Sequence, residues 1–532
     1  MFTRSSQNIW LKNNDIKDEK TKEFSFRDDL YVFLNSTICH CYRHLAQVDR
    51  SNVERFMWFC IHIFNACALI YFTLNIWDDF TSNPLVTTLH DTVYPIKNIP
   101  FPAVSICSNN RISKKEAETF AKELSMKEGA TKDEEGYLKD LYFLGRVYDY
   151  EVENEHLVTA FQQFLDQSSN DTKSFNFTSI ILKLSPKCED ILVKCIFKSR
   201  PFKCMLQYEM METRKTSSGF CCSFNYVQYN DNNEKNYPYH NEITGPDMGL
   251  IVVLNSFSND YFYNIRNTMG FHVFIHNPLE YPDTQTGTAI ERLVLPGQEI
   301  FIRVDASSIT STRDILGYKA EKRQCLFADE KKAYNGKYTR SECLLNCKIR
   351  SVKALCDCVP FQYPVLVKSS TQNKVCTLQH VSCLNKYEIK WSTIMSEIIE
   401  IEGLEREREE SLICSECFAS CSDSKYKVMT SRLPLVPSIR RGFGITNDIL
   451  NVSDNVVVRV YFGQSETWQY KQDVSFYWFE IFANIGGICG VVGGFSMIGF
   501  TEIFYFMLKQ LFLFTMRKLK VTFKSRKLII YP

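Results

Sequence analysis

Two long apolar runs bracket a chain that otherwise mixes polar and apolar positions. The first, Phe56–Ile76, carries no Asp, Glu, Lys or Arg over 21 residues, enough to cross the ~30 Å hydrocarbon core of a bilayer. The second begins near Phe476 and runs to about Leu508. Its stretch Ile481–Thr501 is uncharged, and Glu502 then interrupts a further apolar run. A buried core helix is the competing reading for each, and the uniform apolarity of the first favours a span. Between the runs, residues 111–168 contain helix-like stretches (SKKEAETFAKELSMKE, EHLVTAFQQFLDQ), whereas 247–306 contain strand patterns, GLIVVLN, GFHVFIH and EIFIRVD. Thr339-Arg-Ser-Glu342 predicts a capping box opening a helix. On that helix Cys343 and Cys347 are one turn apart and share a face. The acidic stretch Glu400–Glu410 reads as a solvated helix face.

Flanking charge orients the two spans. Arg43, Arg50 and Arg55 precede the first, and Asp78 and Asp79 follow it. The tail after the second carries Lys509, Arg517, Lys518, Lys520, Lys524, Arg526 and Lys527 with no acid. Positive residues stay on the cytosolic side. The hydrophilic residues before the first span lack the apolar core of a cleavable leader, so that span is expected to act as a signal anchor. The expected organisation is a cytosolic region over 1–54, transmembrane helix 1 over 55–77, and an extracellular Cys-rich domain over 78–475. Transmembrane helix 2 follows over 476–508, then a basic cytosolic tail over 509–532. Both termini lie inside the cell, and the plasma membrane is the expected location.

The cysteines test this topology independently. Sixteen of the 21 fall within 78–475, and an even, clustered set in an oxidising compartment reads as a disulfide framework. Zinc is the competing reading of Cys356-Asp-Cys358 and Cys414-x-x-Cys417, but no His falls at ligand spacing. The pairs Cys343/Cys347 and Cys414/Cys417 read as rungs between two antiparallel segments, a stapled column. The sequons at Asn170, Asn176 and Asn451 fall in the same loop and are open to glycosylation. Net charge is +1 over 532 residues, so no nucleic-acid footprint shows in the totals. No G-x-S-x-G, H-E-x-x-H or phosphate loop appears, and an enzyme is not expected; neither is a cofactor nor a metal.

The second span carries the chemistry. Gly486, Gly487, Gly490, Gly493, Gly494 and Gly499 crowd into fourteen residues. Gly486, Gly490 and Gly494 repeat at i+4, the spacing that lets helices approach closely. Simple helix packing is one reading. The other is a break in the helix, which is tolerated at membrane depth only where backbone lines a cavity. Glu480, Asn484, Gly487, Val491, Gly494, Ile498 and Glu502 fall on one helical stripe. Ionisable groups inside a span are costly and by default functional. A water-filled pore with carboxylates facing permeating cations accounts for the stripe, and interhelical hydrogen bonding is the rival account. Neither span carries an Arg ladder, which predicts insensitivity to voltage.

Several motifs, in order, resemble the degenerin/epithelial sodium channel superfamily, and within it the insect pickpocket branch. They are Tyr94-Pro-Ile-Lys-Asn-Ile-Pro-Phe-Pro-Ala-Val-Ser-Ile-Cys107, Gly219-Phe-Cys-Cys-Ser-Phe-Asn225, and Gly270-Phe-His-Val-Phe-Ile-His276 with Glu280-Tyr-Pro-Asp283. The run Cys343-x3-Cys347-x8-Cys356-x-Cys358 followed by Val359-Pro-Phe-Gln-Tyr-Pro364 is the most specific. Asn484-Ile-Gly-Gly487 and Gly494-Phe-Ser496, with Glu502 behind, resemble the family's pore. The resemblance implies a homo- or hetero-trimer of two-span subunits conducting sodium through membrane lipid. Its ectodomain would be a disulfide-rich α/β finger, thumb, palm, knuckle and β-ball arrangement like that of acid-sensing channels. Gly494, Phe495 and Ser496 would form the selectivity tract, Ala483 the small-residue degenerin gating position, and Glu502 a pore carboxylate. Asn484 sits where acid-sensing channels carry a carboxylate. The resemblance also implies the pairs Cys107–Cys221, Cys195–Cys204, Cys325–Cys421, Cys343–Cys417, Cys347–Cys414, Cys356–Cys383 and Cys358–Cys376. Cys188 and Cys222 are left over and are paired by elimination. An amiloride site near the outer pore is implied as well.

Three departures stand out. The family's cytosolic His-Gly gating motif is His40-Cys41 here, and glycine is used where backbone needs positive φ or close approach. The tail lacks Pro-Pro-x-Tyr. Glu321 stands where acid-sensing channels place an aromatic residue, so gating by protons is not expected, and the extracellular stimulus is left open. A non-conducting accessory or receptor subunit is the alternative function, with His40-Cys41 in its favour. An ATP-gated trimeric channel shares two spans and a Cys-rich loop but not this cysteine spacing.

Overall fold

A computed structural model describes residues 26–527, apart from 38–41, 48–49, 128–129, 171–175, 206–209, 229–237, 332–337, 365–373, 396–402, 404, 437–451 and 495. The chain divides into two compact units. One comprises residues up to Val86 and from Val474 onward, and the other is Thr87–Asp473.

The central unit is built on two sheets. Strand Gln298–Ser311 is the spine of the larger, eight-stranded sheet. It pairs antiparallel with Asp423–Pro434, and parallel with Asn455–Phe462 and Glu466–Val474. Asn455–Phe462 continues the sheet antiparallel to Leu250–Asn255, which pairs with Leu192–Phe197. The second sheet has five strands, ordered Ala289–Val294, Phe271–His276, Ala103–Ser108, Gly219–Phe224 and Met211–Thr216. The strands predicted within 247–306 therefore form but divide between the two sheets. One apolar core is shared by both: Val104, Ile106, Phe224, Val273 and Ile275 meet Leu250, Val252, Ile302, Val304, Val458 and Val460. Phe101 sits at its centre, edge-on to Phe197, Phe224 and Phe462. Burying such side chains contributes ~1.5–3 kcal/mol each, and their β-branched and aromatic character suits pleated strands.

The helices expected within 111–168 are present as Lys114–Ser125 and Glu155–Asn170, with shorter helices between them. Ser113 caps the first, accepting the Glu116 amide at 3.3 Å. Its Ala117, Phe120, Ala121 and Leu124 face a second core with Tyr137, Leu141, Phe161, Leu165 and Ile181.

In the helix Arg340–Cys356, Thr339 accepts the Glu342 amide at 3.2 Å. Asp357, in the left-handed region at φ 54°, ends it. Eight disulfides staple the central unit: Cys107–Cys221, Cys188–Cys222, Cys195–Cys204, Cys325–Cys421, Cys343–Cys417, Cys347–Cys414, Cys356–Cys383 and Cys358–Cys376. Cys343 and Cys347 face the segment that carries Cys414 and Cys417. Cys414–Cys417 is a turn, closed by the Cys417 amide on the Cys414 carbonyl at 3.1 Å, because four residues bearing cysteines at both ends fold back on themselves. The acidic stretch yields a short exposed helix, Glu405–Glu410.

The other unit is helical. Helix α1 is Phe26–Ser36, α2 Asn52–Ser82, α3 Trp478–Gly493 and α4 Met497–Lys527. Helix α2 has no buried residue along its 31 positions, which fits a lipid-facing span. At 1.5 Å per residue it is about 46 Å long, longer than the run expected over 55–77. Helix α4 likewise continues past residue 508. By length and composition, α2 and Met497–Met516 are each sufficient to cross a membrane, and α3 is a shorter apolar helix.

Candidate functional site

The second apolar run is two helices joined by a short break, and local backbone chemistry explains where it falls. Gly494 ends α3 with φ 64°, in the left-handed region. A glycine adopts this at no steric cost. Its amide donates to the Gly490 carbonyl at 3.1 Å. Two residues later Ser496 opens α4: its Oγ accepts the Gly499 amide at 3.1 Å and its carbonyl accepts the Phe500 amide at 3.0 Å. Gly494 is thus a helix stop and Ser496 a helix start. Phe495 lies outside the described residues.

One face of α3 packs and the other is open. Ile481, Ile485, Ile488, Cys489 and Val492 are partly buried at helical spacing, and α3 packs on α2. Ala483, Asn484, Gly487 and Val491 are exposed, as is Ile498 beyond the break. A Cβ added at Gly486 or Gly487 would meet nothing within 4 Å, so packing within this chain does not demand glycine there. Glu480 does not simply point outward with this stripe. Its Oε2 accepts the Tyr477 amide at 3.0 Å, covering a backbone donor at the start of α3. Where α2 meets the glycine tract, a cleft of about 500 Å³ is lined by Trp58, His62, Asn65 and Gly490–Gly494, among others. His62 stacks on Tyr42 with ring centroids 4.5 Å apart, and Trp58 on His44 at 4.7 Å.

Glu502 is held by the N-terminal segment. Thr37 Oγ1 donates to Glu502 Oε2 at 3.1 Å. Helix α1 lies along α4, with Phe33 stacked on Phe506 at 4.5 Å and Gln510 donating to Asp29 at 3.1 Å. His40 and Cys41 lie outside the described residues, but Thr37, three positions before His40, reaches a carboxylate of the stripe. Sequence reasoning did not find α1, although Leu30, Phe33 and Leu34 carry the i, i+3, i+4 signal of an amphipathic helix.

Of the sequons, Asn176 is exposed and caps the helix Phe177–Leu184 by accepting the Thr178 amide through Oδ1 at 3.1 Å. A glycan would attach at Nδ2, so cap and sugar are compatible. The Asn170 side chain and Asn451 lie outside the described set. Cys60, Cys67 and Cys489, which were not assigned to the disulfide framework, are free thiols.

Electrostatics in the central unit are set by burial. The buried Lys348 pairs with buried Asp283 at 3.3 Å and with Gln285. His276 bridges Ser105 Oγ at 3.0 Å and the Asn277 carbonyl at 2.9 Å, and burial depresses its pKa to about 4. Burial, with help from Asp423, pushes the Glu280 carboxyl up to about 8 against the pull of Arg340.

Two apolar helices, a disulfide-stapled β-rich domain between them and a glycine-broken second helix set the frame for comparison with known proteins. The family profile described as amiloride-sensitive sodium channel matches residues 33–506. This chain belongs to that family. Pickpocket protein 28 of Drosophila melanogaster is 23% identical over 528 residues, spanning 90% of this chain and 78% of that protein. Sodium channel protein Nach of Drosophila ananassae is 22% identical, covering 89% and 85% of the two chains. The epithelial sodium channel subunit beta of Xenopus laevis is 23% identical over 252 residues, 46% of this chain and 34% of that one. The family is one of ion channels, not enzymes.

Proposed function

We propose that this chain is a subunit of a sodium-selective, voltage-insensitive, amiloride-sensitive cation channel in the plasma membrane, with both termini cytosolic. Three copies, identical or related, would surround a pore walled by the open stripe of α3. Asn484, Gly487 and Val491 would line its upper part, with Glu480 near the mouth. Gly494, Phe495 and Ser496 would form the constriction where backbone carbonyls face the ion, and Ile498 and Glu502 would lie below. The break at Gly494–Ser496 carries this reading. Unwound backbone between two apolar helices is costly in lipid unless it lines a cavity, and the polar stripe flanks that break. The unfilled space beside Gly486 and Gly487 supports close approach by a neighbouring copy.

The central unit would face the extracellular side, where its eight disulfides form and persist, and would pass an extracellular stimulus to the spans. Accessory action without conduction is the second reading, favoured by Cys41 in place of the family's glycine. Two-electrode recording from cells expressing the chain alone, in sodium and then potassium solutions with and without amiloride, tests the proposal. Ala483→Phe belongs in the same experiment, because bulk there is expected to prop the pore open. A sodium-selective, amiloride-blocked current supports a homomeric channel. Silence from both, with surface expression confirmed, overturns the homomeric form and supports the accessory reading.

A further inference from the structure

Among the described residues of the central unit, four lysine and arginine side chains are buried: Arg111, Arg146, Arg323 and Lys348. Three have a carboxylate partner, Arg146 with Glu153 at 3.6 Å, Arg323 with Glu330, and Lys348 with Asp283 at 3.3 Å. That is what low-dielectric surroundings demand of a charge. Among the described residues no carboxylate pairs with Arg111. Its one hydrogen bond runs from Nη1 to the Ser108 carbonyl at 2.8 Å. Its guanidinium carbon lies 5.8 Å from the Tyr148 ring centroid, and its Nε has no partner. The acid whose field reaches it, Glu291, is bonded to His272. Burial lowers the Arg111 pKa only to about 10, so the group stays charged at physiological pH.

Arg111 borders a cavity whose other polar walls are Ser108, Asn110, Tyr148, Ser185 and Ser218. The centre of a water-sized sphere has about 10 Å³ in which to move there, the scale of a single water, so of the anions only a monatomic one approaches that size. A water would satisfy a donor but leave the charge uncompensated. A phosphate, sulfate or carboxylate is too large. We propose that this cavity binds a halide ion, held by the Arg111 guanidinium with the Ser218 hydroxyl as a donor; Ser185, whose Oγ donates to the Ile181 carbonyl at 2.7 Å, shapes the wall beside it. Arg111 comes from strand Asn110–Ser113, Tyr148 and Ser185 from the helical segment, and Ser218 from the turn joining two strands of the five-stranded sheet. The ion therefore ties helical core to sheet.

The test is thermal unfolding of the purified full chain in detergent, at constant ionic strength, as sodium gluconate is replaced by sodium chloride or bromide. The unfolding midpoint is expected to rise by a few degrees, saturably, with either halide, and Arg111→Gln is expected to abolish the rise. Equal midpoints in gluconate and chloride would overturn the proposal and leave water in the cavity. An undiminished rise in Arg111→Gln would also overturn it, placing the halide elsewhere. Should Arg111→Gln fail to fold, Ser218→Ala decides: a several-fold higher chloride concentration at half-effect supports the site, and an unmoved one overturns it.

Discussion

Replacing Lys348 with Met tests how the disulfide-bearing helix Arg340–Cys356 is anchored to the rest of the central unit. Lys348 Nζ lies 3.3 Å from Asp283 Oδ2, with the two side chains 4% and 2% exposed. At an effective dielectric of about 20, the attraction across that distance is about 5 kcal/mol. Much of it offsets desolvation, but removing one partner strands the other. Asp283 would stay buried, its Oδ1 still accepting the Gln285 amide at 3.0 Å. Such a loss costs about 3–5 kcal/mol. Lys348→Met should therefore lower the thermal midpoint of the full chain in detergent by roughly 3–10 °C. Asp283→Asn should do the same in the lysine background. The double variant should recover much of the loss, with a coupling of at least about 2 kcal/mol. Tryptophan fluorescence during heating reads all four proteins. A single variant within about 1 °C of the parent, or a double variant whose loss is the sum of the two singles, would refute the anchoring role.

Other consequences can be checked separately. Removing Cys347–Cys414 while Cys343–Cys417 remains should be mild, because the outer rung still closes the 74-residue separation. Removing both should cost about 4 kcal/mol; equal and additive losses on denaturant titration would contradict the nested arrangement. The raised pKa of Glu280 makes its stabilising contribution complete below the ordinary carboxylate range and lost as pH rises through about 8. Glu280→Gln should therefore raise the thermal midpoint at pH 8 relative to pH 5, and an unchanged pH slope would argue against burial of the carboxyl. Glu502→Gln retains an acceptor for Thr37 but removes charge, so unitary sodium conductance should fall roughly two-fold at low salt. An unaltered conductance would take Glu502 out of the ion's field.

What the sequence makes legible follows from the range of the forces involved. The helix start at Thr339 and the break at Gly494–Ser496 are local, set by residues within one turn, and the chain spells them directly. The apolar runs are local too, although hydropathy alone does not announce that α4 continues to Lys527, because basic residues form good helix. Helix α1 carries a readable signal in Leu30, Phe33 and Leu34, but Glu502, the partner of Thr37 just after it, lies 465 positions away, and no local pattern names it. Sheet order is equally distant: Gln298–Ser311 takes parallel neighbours from Asn455–Phe462 and Glu466–Val474. Cysteine spacing marks Cys343/Cys347 and Cys414/Cys417 as facing pairs but cannot choose among pairings; seven pairs follow from the family resemblance, and Cys188–Cys222 follows only by elimination. The isolation of Arg111 is invisible in sequence, since it depends on which carboxylates the fold brings near.

The central claim is that the break between α3 and α4 selects the ion. The most direct test is the reversal potential under exchange of external sodium for potassium, measured with Ser496→Ala in whichever assembly conducts and in the Ala483→Phe background. The account predicts that the parent reverses at a strongly sodium-dependent potential, and that Ser496→Ala, at equal surface density, shifts the potassium value toward that in sodium. A reversal potential unmoved by Ser496→Ala, with current and surface density intact, would contradict it and place selectivity elsewhere along the helices.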